Sequence, residues 1–257
     1  MFKTDNYKNK TVVITGGTKG IGLGITKAYL SLSAKVIILA RNKPKKQIQV
    51  KGNKALFYQC NVRDNANVEE VINEVFKANK CIDVLINNAG GAPLINSLDA
   101  SMNFNNAIID LNLNSSFAVS YYVAKKMIKK SSGCVITNIS SVTATRPTPG
   151  SAAYGAAKGG LVNLTKTLAV EWAPRIRVNS IITGYIETEN SLVHYGSKKD
   201  MKAVAKSIPM KRMGTPEDIA NACIFLSSVN SSWITGTAIE VHGGGESPAY
   251  LNSAKPK

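Results

Sequence analysis

Histidine occurs only at His194 and His242, and cysteine only at Cys60, Cys81, Cys134 and Cys223, with no C-x-x-C pair among them. A metal site needs clustered ligands and a disulfide framework needs paired cysteines, so the composition argues against both. Cys81 and Cys134 abut apolar runs and read as small buried hydrophobes. No apolar run reaches the roughly 18 residues of a membrane span. The stretch Met1–Lys10 lacks the apolar core of a signal peptide,. A soluble cytoplasmic protein is the expectation. Acidic residues are scarce: 16 Asp and Glu stand against 32 Lys and Arg, a formal net charge of +16. Three readings fit such an excess: a polyanionic partner, attraction of an anionic cofactor or acyl carrier, or a lysine-rich solvated surface. The lysines (Lys43, Lys45, Lys46; Lys125, Lys126, Lys129, Lys130; Lys198, Lys199) are not interleaved with aromatics, which make up 7% of the chain. A nucleic-acid stacking platform would require that interleaving, so no nucleic-acid role is expected.

What is present is a regular alternation. The 257 residues, 44% hydrophobic, suffice for one sizeable core, and all of them read as a single domain,. Strand candidates are Thr11–Thr15, Lys35–Ala40, Ala55–Asn61, Val84–Asn87, Cys134–Ile139, Arg177–Ile182 and Ile239–Val241. Most are continuously apolar, the mark of strands buried on both faces of a parallel sheet. Helical patterns lie between them at Gly22–Ser33, Val68–Asn79, Phe104–Lys130, Tyr154–Trp172 and Pro216–Ser227. The last opens with Thr215 as N-cap, Pro216 in the first turn and early acids. The predicted fold is α/β: one doubly wound Rossmann-type domain, a parallel sheet of about seven strands flanked by helices. Irregular stretches follow the fifth and sixth strands, and residues 185–213 are expected to form a lid over the carboxyl edge.

The first strand runs into Thr15-Gly16-Gly17-Thr18-Lys19-Gly20-Ile21-Gly22 before a helix. Glycine permits positive φ and close backbone approach, and a helix N-terminus offers free N–H groups to phosphate. The spacing Gly-x3-Gly-x-Gly is not the G-x-G-x-x-G fingerprint, and alone it fits a tight turn equally. The second strand ends in Ala40-Arg41, where an NAD enzyme would place an acid on the ribose hydroxyls,. Arg41 and Lys19 favour a 2′-phosphate instead; a fraction of one ion pair, about 4 kcal/mol at an effective dielectric near 20, already gives about tenfold selectivity. NADP(H) is therefore the expected cofactor, unless Arg41 is merely a solvated loop cation.

Tyr154-Gly155-Ala156-Ala157-Lys158 puts a phenol and an ammonium one helical turn apart on one face,. Nearby positive charge lowers a tyrosine pKa from about 10 and lets it exchange a proton during hydride transfer. By itself the pattern also fits an ordinary helix surface. It does not stand alone: the fifth strand ends in Ser140-Ser141, where a hydroxyl can bond a developing alkoxide,.

These residues resemble the short-chain dehydrogenase/reductase family over nearly the whole chain, from Thr11 to about Gly244. The matches are the glycine turn, Asn87-Asn88-Ala89-Gly90, Asn112 in Asp110-Leu111-Asn112-Leu113, Ser141, Tyr154, Lys158, Gly214–Ala220 and Ile234-Thr235-Gly236. The resemblance implies that Tyr154 is the general acid in reduction, Ser141 orients the substrate oxygen, Lys158 binds the nicotinamide ribose, and Asn112 holds a proton-relay water. It places Gly16, Thr18, Lys19, Gly20, Ile21, Gly22, Arg41, Asn61, Val62, Asn88, Ala89, Gly90, Gly184, Ile186 and Thr188 around the cofactor. Two positions depart from the family. Asn61-Val62 replaces Asp-Val, and Thr183-Gly184 replaces Pro-Gly, which is expected to loosen the loop leading to Thr188. The tail from Gly245 to Lys257 is longer than in the shortest members and has no derived role. Among activities, the resemblance points first to reduction of a 3-oxoacyl thioester carried by an acyl carrier protein or coenzyme A, with Lys129, Lys130 and Arg175 as a receiving patch. Alternatives are a reductase or dehydrogenase for a small alcohol, sugar, steroid or xenobiotic ketone, and, in another class, a non-catalytic cofactor-binding regulator. A homotetramer is the assembly the resemblance implies.

Overall fold

A computed structural model describes residues 7–129 and 133–246. The Val- and Ile-rich segments form the strands, as β-branched side chains pack well on a surface buried from both sides. In chain order the elements are β1 (Thr11–Thr15), α1 (Gly20–Ser31), β2 (Lys35–Ala40), β3 (Gln49–Val50), β4 (Asn53–Lys54), β5 (Leu56–Gln59), α2 (Asn65–Asn79) and β6 (Val84–Asn87). There follow α3 (Met102–Ile109), a π turn (Asp110–Asn114), α4 (Ser115–Met127), β7 (Cys134–Ser141), α5 (Ala152–Trp172) and β8 (Ile176–Thr183). The chain continues through α6 (Ser191–Tyr195), α7 (Lys198–Ser207), α8 (Pro216–Ser227) and β9 (Ala238–Val241).

Seven strands form one parallel sheet in the order β5-β2-β1-β6-β7-β8-β9. The chain walks outward from β1 to β5, then returns to place β6 on the other side of β1. That reversal opens a crevice at the carboxyl ends of β1 and β6, where ligands bind in open α/β sheets. Each face of the sheet has its own core. Ile25, Tyr29 and Leu30 of α1 and Ile219, Cys223 and Leu226 of α8 cover one face. Val68, Ile72 and Val75 of α2, Val119 and Val123 of α4 and Leu168 of α5 cover the other. Each fully buried Ile or Leu contributes roughly 1.5–3 kcal/mol relative to exposure. Helices α1 and α8 touch so closely that a Cβ on Gly24 would lie 2.3 Å from Pro216 Cβ. The expected start of α8 is present, with a Thr215–Asp218 capping box and Pro216 in the first turn,.

The structure differs from the sequence reading in four places. The long helix expected over Phe104–Lys130 is three pieces, because the π turn around Asn112 interrupts it,; Lys130 itself lies outside the described residues. A two-stranded hairpin, β3–β4, turns through Lys51 and Gly52, both at positive φ, and precedes the short edge strand β5. Residues 185–213 contain α6 and α7, the second started by a Ser197–Asp200 capping box. Cys134 is buried as expected, but Cys81 is only half-buried and its thiol faces the Asp83 carboxylate at 3.5 Å. Among the described residues no helix is long and apolar enough to cross a membrane.

Candidate active site

Gly16, at φ +67°, turns the chain out of β1, and Lys19 caps α1 in extended geometry with no side-chain hydrogen bond. Gly22 has no room for a side chain, since a Cβ there would lie 2.3 Å from Gly16 O and 2.5 Å from Asn88 Nδ2. The turn is braced by the strand-end motif beside it. Asn88 Nδ2 donates to Thr15 O (3.0 Å) and Gly16 O (3.3 Å), while the N–H groups of Asn88 and Ala89 donate to Thr15 Oγ1. The Asn88 amide thus braces the glycine turn. The helix N-terminus already holds an anion: Gly20 N–H donates to Glu189 Oε1 at 2.9 Å and Oε2 at 3.1 Å. Lys19 and Arg41 stand exposed at this edge, Thr18 and Ile21 flank the turn half-buried, and the Thr188 methyl lies 3.6 Å from where a Gly20 Cβ would be. A carboxylate on these N–H groups shows that the turn accepts negative oxygen, as a cofactor phosphate would require. Asn61 and Val62 follow β5 on the same edge, and Asn61 Oδ1 accepts the Arg63 N–H at 3.3 Å within its own turn.

The chemical residues gather one strand further along. Ser141 ends β7 in register with Thr183 of β8, and its Oγ accepts the Thr143 N–H at 3.2 Å. Tyr154 enters from the first turn of α5 and shares a hydrogen bond with Ser141. Burial pushes the Tyr154 phenol above its usual value, and the bond to Ser141 pulls it back in part. The sequence reading has nearby positive charge lowering that value; here burial is the larger influence and raises it. Lys158 is itself fully buried, which lowers its pKa to about 8. Its Nζ donates to Ile139 O at 2.8 Å and lies 5.6 Å from the centre of the Tyr154 ring. A buried ammonium is a costly species, so desolvation outweighs its help to a neighbouring phenolate.

Asn112 lies in the π turn with its side chain fully engaged. Its Oδ1 accepts the Gly91 N–H at 2.8 Å, and its Nδ2 donates to Gly91 O (3.1 Å) and Ile108 O (2.9 Å). The amide expected to hold a relay water therefore pins the loop after β6. A Cβ on Gly90 would lie 2.6 Å from Asn112 Oδ1 and 3.2 Å from Lys158 Nζ, so the absent side chain leaves both room at this point. Beyond β8 the Thr183-Gly184 pair does not loosen the chain: Thr183 Oγ1 donates to Ser140 O at 2.9 Å and Gly184 N–H to Val241 O at 3.2 Å. Ile186 bridges to Gly214, and Thr188 N–H donates to Ser191 Oγ at 2.7 Å. On the far side Arg175 Nη1 donates to Ile128 O at 3.4 Å, which sets it beside exposed Lys129; Lys130, the third cation expected there, is outside the described residues.

Two groups escaped the sequence reading. Beneath the site, Asn87 Nδ2 donates to Asn138 Oδ1 (2.8 Å) and Ser120 Oγ (2.7 Å), and Asn138 Nδ2 to Thr165 Oγ1 (2.9 Å). The signal was available: an Asn inside each of two apolar strands demands buried partners. Next to Ser141 and Thr183 lies a cavity of ≈ 150 Å³, lined by Val142, Arg146, Gly184, Tyr185, His242 and Glu246 among others. Its residues come from three separate stretches, and no spacing announces them. A smaller cavity, of ≈ 10 Å³, is lined by Tyr154 with Ile95, Phe104 and Ile108.

Comparison with known proteins agrees with this geometry. Residues 16–246 match the family model described as "Enoyl-(Acyl carrier protein) reductase". The chain is 37% identical over 242 residues to the 3-oxoacyl-[acyl-carrier-protein] reductase FabG of Chlamydia pneumoniae, covering 91% of this chain and 96% of that protein. It is 35% identical over 245 residues to a probable 2,4-dienoyl-CoA reductase of Bacillus subtilis, covering 92% and 96%. Its fold superposes on ligand-free aldohexose dehydrogenase of Thermoplasma acidophilum with a TM-score of 0.86 at 32% identity, over 98% of this chain and 97% of the other.

Proposed function

This chain belongs to the short-chain dehydrogenase/reductase family, and from that premise we propose that it is an NADP(H)-dependent carbonyl reductase acting on 3-oxoacyl compounds. The carrying observation is the convergence of Ser141, Tyr154 and Lys158 beside a helix N-terminus that already binds a carboxylate. The cofactor fits the residues present. The N–H groups of the glycine turn would hold its phosphates, Arg41 and Lys19 its 2′-phosphate, and Asn61 and Val62 the adenine end. Ala89 and Gly90 would lie along the adenosine ribose, and Gly184, Ile186 and Thr188 would line the nicotinamide end. When bound, NADPH supplies the hydride.

The chain supplies position and a proton. Ser141 Oγ orients the substrate carbonyl, and the Tyr154 hydroxyl gives its proton to the carbonyl oxygen as the alcohol forms. The raised Tyr154 value keeps that proton in place at neutral pH, as a general acid requires. Lys158 holds the nicotinamide ribose hydroxyls, and a cofactor carrying positive charge would lower the tyrosine for the reverse direction. Asn112 fixes the Gly91 loop against which the substrate rests. The curated relatives that reduce 3-oxoacyl carriers favour a thioester substrate, met through Lys129 and Arg175, in a cytoplasmic homotetramer. The charged groups Arg146, Glu240 and Glu246 in the cavity beside Ser141 favour a second reading, a small polar ketone.

The test is reduction of a panel of ketones and 3-oxoacyl thioesters with NADPH or NADH. NADPH is expected to lead by about tenfold in kcat/KM, and Arg41→Ala to remove that lead. Tyr154→Phe is expected to lower kcat by about 10²–10⁴-fold while fluorescence titration shows NADPH still bound. Comparable kcat/KM with both cofactors would remove the NADP(H) assignment. Turnover untouched by Tyr154→Phe would remove the mechanism. NADPH binding without turnover of any ketone would favour a binding protein on a reductase fold.

A further inference from the structure

The cavity beside Ser141 contains a carboxylate receptor. Arg146 leaves the loop after β7 and is anchored on one side, where Nη1 donates to Pro147 O (3.3 Å) and Thr148 Oγ1 (3.2 Å). Its other nitrogen, Nη2, donates to Tyr185 Oη at 3.0 Å and to Glu246 Oε1 at 2.6 Å. The guanidinium carbon lies 5.9 Å from the centre of the Tyr185 ring, and the Glu246 carboxylate helps to raise the Tyr185 phenol above its usual value. A fixed guanidinium backed by a phenol is a donor set suited to a carboxylate.

The present occupant is tethered rather than built in. Glu246 follows Gly243, Gly244 and Gly245, all at positive φ, a backbone that glycine adopts without strain,. Its side chain is 31% exposed. The walls combine apolar surface from Val142 and the Tyr185 ring with polar groups. Glu240 and His242 pair at 2.8 Å along one side, and among the described residues His242 Nδ1 has no hydrogen-bond partner although it is buried. The volume of ≈ 150 Å³ holds about five waters,. The subsite also adjoins the chemistry: Val142 and Gly184 follow Ser141 and Thr183, which are paired in register. The Tyr185 ring meets that of Tyr195 at 5.8 Å.

We propose that Arg146 and Tyr185 are the substrate-specificity residues, that they bind a free carboxylate a few carbons from the reacting carbonyl, and that Glu246 is its resident competitor. The substrate is then a short oxo acid, or the hydroxy acid it becomes, with an unesterified carboxyl group. This rests on the carbonyl-reductase reading above and develops its second substrate, a small polar ketone, in place of the thioester.

The test compares three probes with NADPH: 3-oxobutyrate, its methyl ester and 3-oxobutyryl-CoA. The wild type is expected to prefer the free acid. Arg146→Ala should lower the acid-to-ester ratio of kcat/KM by about ten- to hundredfold, the loss of one charge-assisted hydrogen-bonded pair. Glu246→Gln should raise that ratio several-fold by weakening the competitor. A preference for either ester in the wild type, or a ratio unmoved by Arg146→Ala, overturns the proposal. Calorimetry keeps the subsite separate from the reductase reading. With NADP⁺ present, 3-hydroxybutyrate should bind Glu246→Gln and fail to bind Glu246→Gln/Arg146→Ala. Binding equal in both proteins, or absent from both, overturns the subsite whatever the kinetics give. Binding without turnover of any probe overturns the reductase reading and leaves the subsite standing.

Discussion

The turn between β1 and α1 and the cavity beside Arg146 both hold a carboxylate of the chain itself, Glu189 in one and Glu246 in the other. They are made differently. The turn is backbone: N–H groups at a helix start, carbonyls braced by Asn88, and glycines where a Cβ would collide. The cavity is side chains: Arg146 meets Tyr185 from 39 residues away and Glu246 from 100. A backbone site takes its shape from steric exclusion, so it is rigid and indifferent to what lies beyond the phosphate. A side-chain site takes its shape from distant partners, and this is where members of one fold can differ in substrate while sharing a cofactor.

That contrast can be broken most severely at Gly22. Gly22→Ala places a Cβ 2.3 Å from Gly16 O, and the backbone must move. A loss of about 1–3 kcal/mol in stability is expected, together with loss of measurable NADPH binding. Gly159→Ala serves as control, because its Cβ would meet Ala144 O at an ordinary 3.5 Å. Equal behaviour of the two variants in a denaturant titration and an NADPH titration would mean the turn is not sterically set.

Lys158 sharpens the comparison next, because a site built from side chains can carry an electrostatic cost that a backbone site avoids. Its pKa is about 8 in the folded chain against an ordinary 10.5. Below pH 8 the lysine is protonated folded and unfolded, and the folded state bears the whole desolvation penalty, about 3 kcal/mol. Between pH 8 and 10.5 the unfolded chain binds the extra proton, so stability rises with pH across that window. Lys158→Met should therefore stabilise the protein at pH 7 by about 1–2 kcal/mol, after about 1–2 kcal/mol is lost by orphaning the Ile139 carbonyl. Its advantage over the wild type should vanish as pH approaches 10.5, and turnover should be abolished throughout. A melting temperature lower than wild type at pH 7 would contradict this account.

The smallest effect belongs to the glutamate on the turn. Glu189→Gln removes the charge that competes for the α1 N-terminus, so NADPH should bind about two- to fivefold more tightly at low salt. The difference should shrink near physiological ionic strength, since the contact is exposed,. Unchanged or weaker NADPH binding at low salt would show that Glu189 does not compete with the cofactor.

The sequence was most readable where local rules act. Continuous Val and Ile runs announced β1, β2, β6 and β7, and the α8 cap was visible in Thr215-Pro216-Glu217-Asp218. Gly16, Gly20 and Gly22 marked the turn because only glycine fits positive φ or that close approach,. Tyr154 and Lys158 were linked by their spacing on α5, but their electrostatics were not legible, since burial is a property of everything packed around them. Asn88 and Asn112 were singled out by the family pattern, but the direction of each side chain toward the backbone was not legible in it. The irregular stretches after the fifth and sixth strands, which supply Arg146 and Tyr185, were legible as substrate walls, but not their meeting with His242 and Glu246, because no spacing rule joins residues on three loops.

The π turn at Asp110–Asn114 has one more consequence. Each residue advances a helix by about 100°, so one extra residue in a turn rotates everything after it relative to everything before. Helix α3 packs on α5, whereas α4 packs on α2 and β6. An uninterrupted helix from Met102 to Met127 would carry a single apolar stripe in one phase and could face only one of these neighbours squarely. The widened turn resets the phase midway, so that Ile108 and Val119 each point into their own packing. The same reset turns the amide of Asn112 inward to Gly91. Deleting one residue from this turn would thus unseat Val119, Val123 and Met127 from the core and the loop after β6 from its anchor in a single stroke.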